Sequence, residues 1–100
     1  MIASDWRVVE KNTLRGFFTL ALPSGLIFRD CPIHRKADKR WIALPARPQI
    51  DGDGQLRRDP ATGKILYVQI IEFTAREQRE QFQTAALEAV DKLLGKDAAP

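Results

Sequence analysis

Two groups of residues in this chain have side chains suited to chemistry: a cysteine and a histidine three positions apart, and a set of arginines among aromatic residues. Cys31-Pro32-Ile33-His34 holds the one thiol and the one imidazole of the sequence. A zinc ion needs four protein ligands, or three and a water. Only carboxylates remain to complete such a set here, and none is suitably spaced, so Cys31 reads as a buried strand residue. As a nucleophile and base, the pair lacks a glycine-rich loop beside the cysteine to supply oxyanion donors. Asp51-Gly52-Asp53-Gly54 has the opening of a calcium loop, but Thr62 stands where the acidic twelfth ligand is required. That run reads as a plain turn. No catalytic residue, metal site or cofactor is expected, and the chain does not read as an enzyme.

The second group is Arg15, Phe17, Arg29, Arg40, Trp41, Arg47, Arg57 and Arg58, with Arg7 and Lys39 nearby. Proteins that hold single-stranded nucleic acid combine a basic groove with aromatic platforms. Arg15 and Phe17 alternate onto one strand face, and Arg29 lies across from them if the hairpin register holds. Taken alone, the same residues fit a solvated basic face over core aromatics better than a nucleic-acid site.

Composition narrows the classes. The chain has 100 residues, 44% hydrophobic and 29% charged, which is enough for one domain with one core. The net charge of +3 is unevenly spread: residues 1–64 carry +5 and residues 65–100 carry −2. A basic strand region beside an acidic helix permits an anionic partner on the sheet side. No apolar run approaches the length of a membrane span, and the N-terminal residues lack a secretory pattern. One cysteine excludes an internal disulfide framework and fits a reducing compartment. A cytoplasmic protein is expected, with no membrane partner and no small-molecule substrate.

The elements that must position these residues follow from periodicity. Trp6 to Lys11 alternates as a first strand, and Asn12-Thr13 is a turn. Leu14 to Leu22 is a second strand, in which Gly16 marks a bulge or a close backbone approach. Pro23-Ser24-Gly25 is a hairpin turn, and Leu26 to Ile33 is a third strand that Pro32 ends or confines to an edge. His34 to Lys39 is a charged turn, Arg40 to Leu44 a fourth strand, and Ala46 to Lys64 a finger-like excursion with two turn tips. Ile65 to Phe73 is the most apolar run and reads as a central strand buried on both faces. Thr74 and Glu77 form a capping box for a helix from Ala75 to about Leu94. Its apolar stripe is Phe82, Ala85, Ala86, Ala89, Val90 and Leu93, and Gly95 is its stop. The fold class is α+β: an antiparallel sheet of about five strands and one C-terminal helix, in the order β-β-β-β-β-α. Residues 1–95 form the single domain, and 96–100 form a frayed tail.

A helix of about 20 residues shields roughly two strands' width of a sheet. Strands two and five carry large apolar side chains on both faces, which leaves a surplus larger than a monomer usually exposes. A homodimer is therefore expected.

Several segments resemble the stage V sporulation protein G family of bacterial septation regulators. They are Leu26-Ile27-Phe28-Arg29-Asp30, Trp41-Ile42-Ala43-Leu44-Pro45 followed by Arg47, and the turn from Asp51 to Gly54, with a last strand leading into one helix. Asn12-Thr13-Leu14-Arg15-Gly16, Leu22-Pro23-Ser24-Gly25-Leu26 and Ile71-Glu72-Phe73 are similar to uncharacterised proteins of proteobacteria and their phages. The resemblance spans about residues 6–94 and implies a dimeric sheet with a C-terminal helix that binds DNA or RNA as a regulator. A likeness of topology to the positive-cofactor-four-like coactivators implies single-stranded DNA. The chain departs from the sporulation family in residues 46–64, where that family's basic segment is replaced by a long excursion. The expectation is thus a nucleic-acid-binding homodimer. The alternative is a protein-interaction module that uses a sheet edge or the helix face with Glu77, Glu80 and Glu88.

Overall fold

A computed structural model describes residues 1–95 and residue 100 of the chain. The elements are β1 (Ile2–Lys11), β2 (Leu14–Ala21), β3 (Ile27–Lys36), β4 (Lys39–Ile42), β5 (Ala46–Pro48), β6 (Tyr67–Gln69) and α1 (Arg76–Leu94). The first four strands form an antiparallel meander in sequence order, and β5 and β6 form a separate two-stranded ribbon. The α+β class, the antiparallel sheet and the single C-terminal helix match the expectation. The expected five-stranded sheet is instead four strands and a ribbon.

Alternation sorts the meander into two faces. Ala3, Phe18, Leu20, Cys31, Ile33 and Ile42 point inward and meet Phe82, Ala86, Ala89 and Val90 of the helix. Phe18, Leu20, Ile33 and Val90 are sealed from solvent, and each contributes about 1.5–3 kcal/mol by its burial. Of the predicted helix stripe, Phe82, Ala86, Ala89 and Val90 are buried, Ala85 is half-buried outside the core, and Leu93 is exposed while Leu87 and Leu94 pack against the core. Gly95, at a φ of 79°, ends the helix with its N–H on the Asp91 carbonyl. The start of the helix differs from expectation. Ala75 stays extended as the N-cap with no side-chain cap, so helical backbone begins one residue beyond the place a Thr74 cap requires. Thr74 Oγ1 donates instead to Gln78 Oε1, at 2.6 Å.

Gly16 is the close approach its position predicts. A methyl group there would lie 2.5 Å from both the Trp6 ring and the Arg7 carbonyl oxygen. Pro32 does not end its strand: β3 continues to Lys36, and the turn to β4 shrinks from the expected six residues, His34 to Lys39, to Ala37-Asp38. The proline carbonyl accepts from Ala43 N–H, at 3.1 Å. The missing N–H faces the same side, opposite Ala43 just past the end of β4, so the proline costs the β3–β4 ladder only its terminal bond.

The largest correction concerns Ile65 to Phe73, which is not a central buried strand. Only Tyr67–Gln69 is extended and paired, its partner is Ala46–Pro48, and all three of its residues are exposed. Residues 46–70 form an arm whose two tips, at Asp51–Gly54 and Asp59–Gly63, are closed by the bridges Ile50–Leu56 and Arg58–Ile65. A ring of backbone bonds ties it at the middle: Gln49 N–H to Leu66, Leu66 N–H to Arg57 and Arg57 N–H to Gln49, at 2.8, 3.0 and 3.0 Å. These local partners consume the hydrogen-bonding groups that a central strand would have given to the main sheet. Phe73 alone of the run reaches the core in force, stacking at a tilt on Phe82 at 5.3 Å. The molecule measures 46 × 30 × 25 Å, and its radius of gyration of 15.3 Å exceeds the roughly 13 Å of a compact 100-residue domain. The predicted tail at 96–100 lies, for 96–99, outside the described residues. No helix among the described residues is long and apolar enough to cross a membrane.

The free edge of β4 is closed by a side chain. Gln83 Oε1 accepts from Ile42 N–H at 2.8 Å, and its Nε2 donates to Ile42 C=O at 2.7 Å, so the amide stands in for a neighbouring strand. Gln83→Ala should cost about 2–4 kcal/mol, because both groups of a buried residue lose their partner. Urea unfolding measures it; a loss below about 1 kcal/mol contradicts the reading.

Candidate nucleic-acid interface

Among the described residues, no helix lies over the outer face of the meander. Its shape is set by extra residues in the strands. Between Ser4 and Arg7, β1 spends three steps against two on β2, and between Cys31 and Phe28, β3 does the same. Asp5 and Asp30 absorb these bulges with φ of 56° and 52°. Because of the second bulge, Arg29 and Asp30 are both exposed, between the inward Phe28 and Cys31.

Two aromatic platforms lie on this face. The first is Phe17, paired across the sheet with Arg7 on one side and Pro32 on the other. The Arg7 guanidinium sits over its ring, 5.5 Å from the centroid. Arg7 also reaches Asp30, but both side chains are largely exposed, at 61% and 74%, so this ion pair adds little and is readily exchanged. The second platform is Trp41, stacked on His34 with centroids 5.5 Å apart and planes 9° from parallel. His34 and Trp41 are cross-strand partners, and His34 Nδ1 lies 3.0 Å from Thr13 Oγ1. Arg29 is exposed, with no ion-pair partner among the described residues.

The predicted set is thus brought together only in part. Phe17, Arg29 and Trp41 share the outer face. Arg15 is the extra residue of a bulge in β2, half-buried, with its guanidinium turned onto the Asn12 and Leu14 carbonyls at 2.9 and 3.0 Å. Arg40 is excluded. It alternates to the inner side with Ile42 and forms a two-pronged pair with Asp91, at 2.7 and 2.6 Å. The Asp91 hydrogen bond holds its proton more firmly than usual. Arg40 also donates to the Pro100 carbonyl at 3.3 Å. Arg47, Arg57 and Arg58 stand on the arm, so the arginines form two groups rather than one.

Arg7 and His34 are the residues that sequence spacing undervalues. Their signal is their register opposite Phe17 and Trp41, which depends on the bulges and on β3 running past Pro32.

The rejected motifs also have physical outcomes. Cys31 faces the core and His34 the outer face, so the two cannot converge on one ion. Burial, helped by the charge of Asp30, pushes the Cys31 thiol up to about 11, where it is unreactive. Asp51 spends one carboxylate oxygen on the Asp53 and Gln55 N–H groups, at 2.9 and 3.0 Å, as a turn requires. No protein family, curated protein or solved structure matches this chain.

Burial lowers the pKa of His34 below its ordinary 6.5. The unfolded chain therefore binds that proton more readily, and stability is lost as pH falls through the ordinary histidine range until the folded value is passed. With a single histidine in the chain, melting temperature should drop between about pH 7.5 and about pH 5.5. His34→Gln should remove that step; a wild-type rise on acidification contradicts it.

Proposed function

We propose that the protein binds nucleic acid across the open face of its four-stranded sheet and acts as a homodimer. The observation that carries this reading is the pair of platforms, Arg7 over Phe17 and His34 on Trp41, on the face opposite the one that the helix packs against. Aromatic faces accept bases of any sequence, and nearby cations accept phosphates. The Arg7–Asp30 pair is exposed enough for a phosphate to replace the carboxylate at small cost. The resemblance to the stage V sporulation protein G family, with its dimeric nucleic-acid-binding regulators, supports the same reading. Affinity comes from charge and stacking, and no bond is made or broken.

The second half of the proposal is supported by the arm. Ile50, Leu56, Tyr67, Val68 and Ile70 are all exposed, and no residue from 46 to 72 is buried. An arm with this much apolar surface and no core of its own is the form of an interface. It also favours protein contact as a function, the alternative to nucleic acid, and a second copy of the chain satisfies it.

Two outcomes follow. In a salt-titrated shift assay on single strands, Arg7→Ala/Arg29→Ala should flatten the log–log salt dependence by about 1.4, the contribution of two phosphates. No binding to any oligonucleotide at low salt overturns the reading. In sedimentation at micromolar concentration the protein should be a dimer, and Tyr67→Ser/Ile70→Ser should shift it to monomer. A wild-type monomer would remove the arm's assigned role.

A further inference from the structure

Beside the outer face, β3, β4, the segment from Gln69 to Ala75 and the first half of α1 enclose an open cleft of about 1300 Å³. It exceeds the roughly 300–1,000 Å³ of a small-molecule pocket, and its open form suits a chain rather than a compact ligand. Its apolar lining is the buried Ile42 with the half-buried Leu44, Ile71 and Phe73.

The charges on its lips are uneven. Arg40 is tied to Asp91, and Arg76 to Glu80 at 3.0 Å. That leaves Lys36 and Lys39 on the β3–β4 hairpin and Arg79 on the helix, each exposed and without an ion-pair partner among the described residues. Against them stands one unpaired carboxylate, Glu72. Such a cleft attracts an anion that also has flat apolar parts.

Trp41 joins the two surfaces. It lines the cleft and also stacks on His34 of the outer face. A ligand lying on the platforms can therefore pass the β4 edge into the cleft without leaving protein. In a duplex the bases are stacked and paired, and their faces are not free for such a lining. A single strand presents both its bases and its phosphates.

We infer that the ligand is a single strand, and that it runs from Phe17 over Trp41 into the cleft, where Lys36, Lys39 and Arg79 hold its phosphates and the apolar lining holds a base. This rests on the nucleic-acid reading above and adds to it the path of the strand into the cleft and two residues that the sequence does not single out, Lys36 and Arg79.

The test is fluorescence anisotropy with a labelled oligothymidylate of about a dozen nucleotides. It is run beside a duplex of equal length over a salt series. Wild-type protein should bind the single strand at least about tenfold tighter. Lys36→Ala/Lys39→Ala/Arg79→Ala should flatten the salt dependence by about 2 in log–log slope and abolish the preference for single strand. Its melting temperature should be unchanged, because all three side chains are exposed. The charge-conserving Lys36→Arg/Lys39→Arg/Arg79→Lys should keep the wild-type slope. Equal or tighter binding of duplex overturns the inference, as does a triple alanine variant with wild-type slope and preference. If wild-type protein binds neither oligonucleotide, the nucleic-acid reading falls together with the cleft. If it binds but the alanine variant is unchanged, the cleft alone falls.

Discussion

One helix of 19 residues covers one face of a four-stranded sheet, and every other feature of the molecule depends on that arrangement. Phe82, Ala86, Ala89 and Val90 are spent on Phe18, Leu20, Ile33 and Ile42, and nothing is left for the opposite side. The outer face carries Thr19, Arg7, Arg29 and His34 around Phe17 and Trp41, with the exposed Ile2 and Ile27 at one end. Surfaces of that kind bind flat, charged chains. The helix is fixed to the sheet by polar contacts as well as by the core. Gln83 caps the β4 edge at one point, and the Arg40–Asp91 pair, only a quarter exposed, ties the same strand to the last turns of the helix. Gln83 and Arg40 also form part of the cleft wall.

Bulges provide the second level of control. A sheet with strict period-two alternation would place Arg29 and Asp30 on opposite faces. The extra residue between Phe28 and Cys31 lets both be exposed, and it brings Asp30 to Arg7. Asp30 and Asp5 take positive φ at the bulges, a backbone region where aspartate is more at ease than most residues. The same irregularities curve the sheet and keep the long β1 edge from being flat, which discourages edge-to-edge association.

Much of this is legible in the sequence because it is local. The Asn12-Thr13 and Pro23-Ser24-Gly25 turns, the helix stripe and the Gly95 stop each depend on residues a few positions apart, and the close approach at Gly16 shows in the residue type alone, although Trp6 and Arg7, which it meets, lie on another strand. The two tips of the arm are equally visible, since Asp51–Gly54 and Asp59–Gly63 carry their own turn chemistry. What cannot be read is partnership over distance. Ile65 to Phe73 has the composition of a buried strand, but burial depends on a neighbour, and Arg57, Arg58 and Ala46 take its backbone instead. Arg40 looks like any other basic strand residue until Asp91, 51 positions away, is known to meet it. Pro32 is tolerated in an interior strand because its missing N–H falls at the last pair of the β3–β4 ladder, opposite Ala43. His34, weighed as a metal ligand, becomes an outer-face residue once β3 is seen to continue through it.

An ¹⁵N–¹H NMR titration of this 11.3 kDa chain with a short oligothymidylate reads, residue by residue, where a strand touches the protein. Amide shifts should concentrate at Arg7, Phe17, Arg29, His34 and Trp41 and continue to Lys39 and Arg79, while Glu77 and Glu88 on the solvent side of the helix stay in place. Shifts confined to the helix, or none at saturating oligonucleotide, would contradict that path.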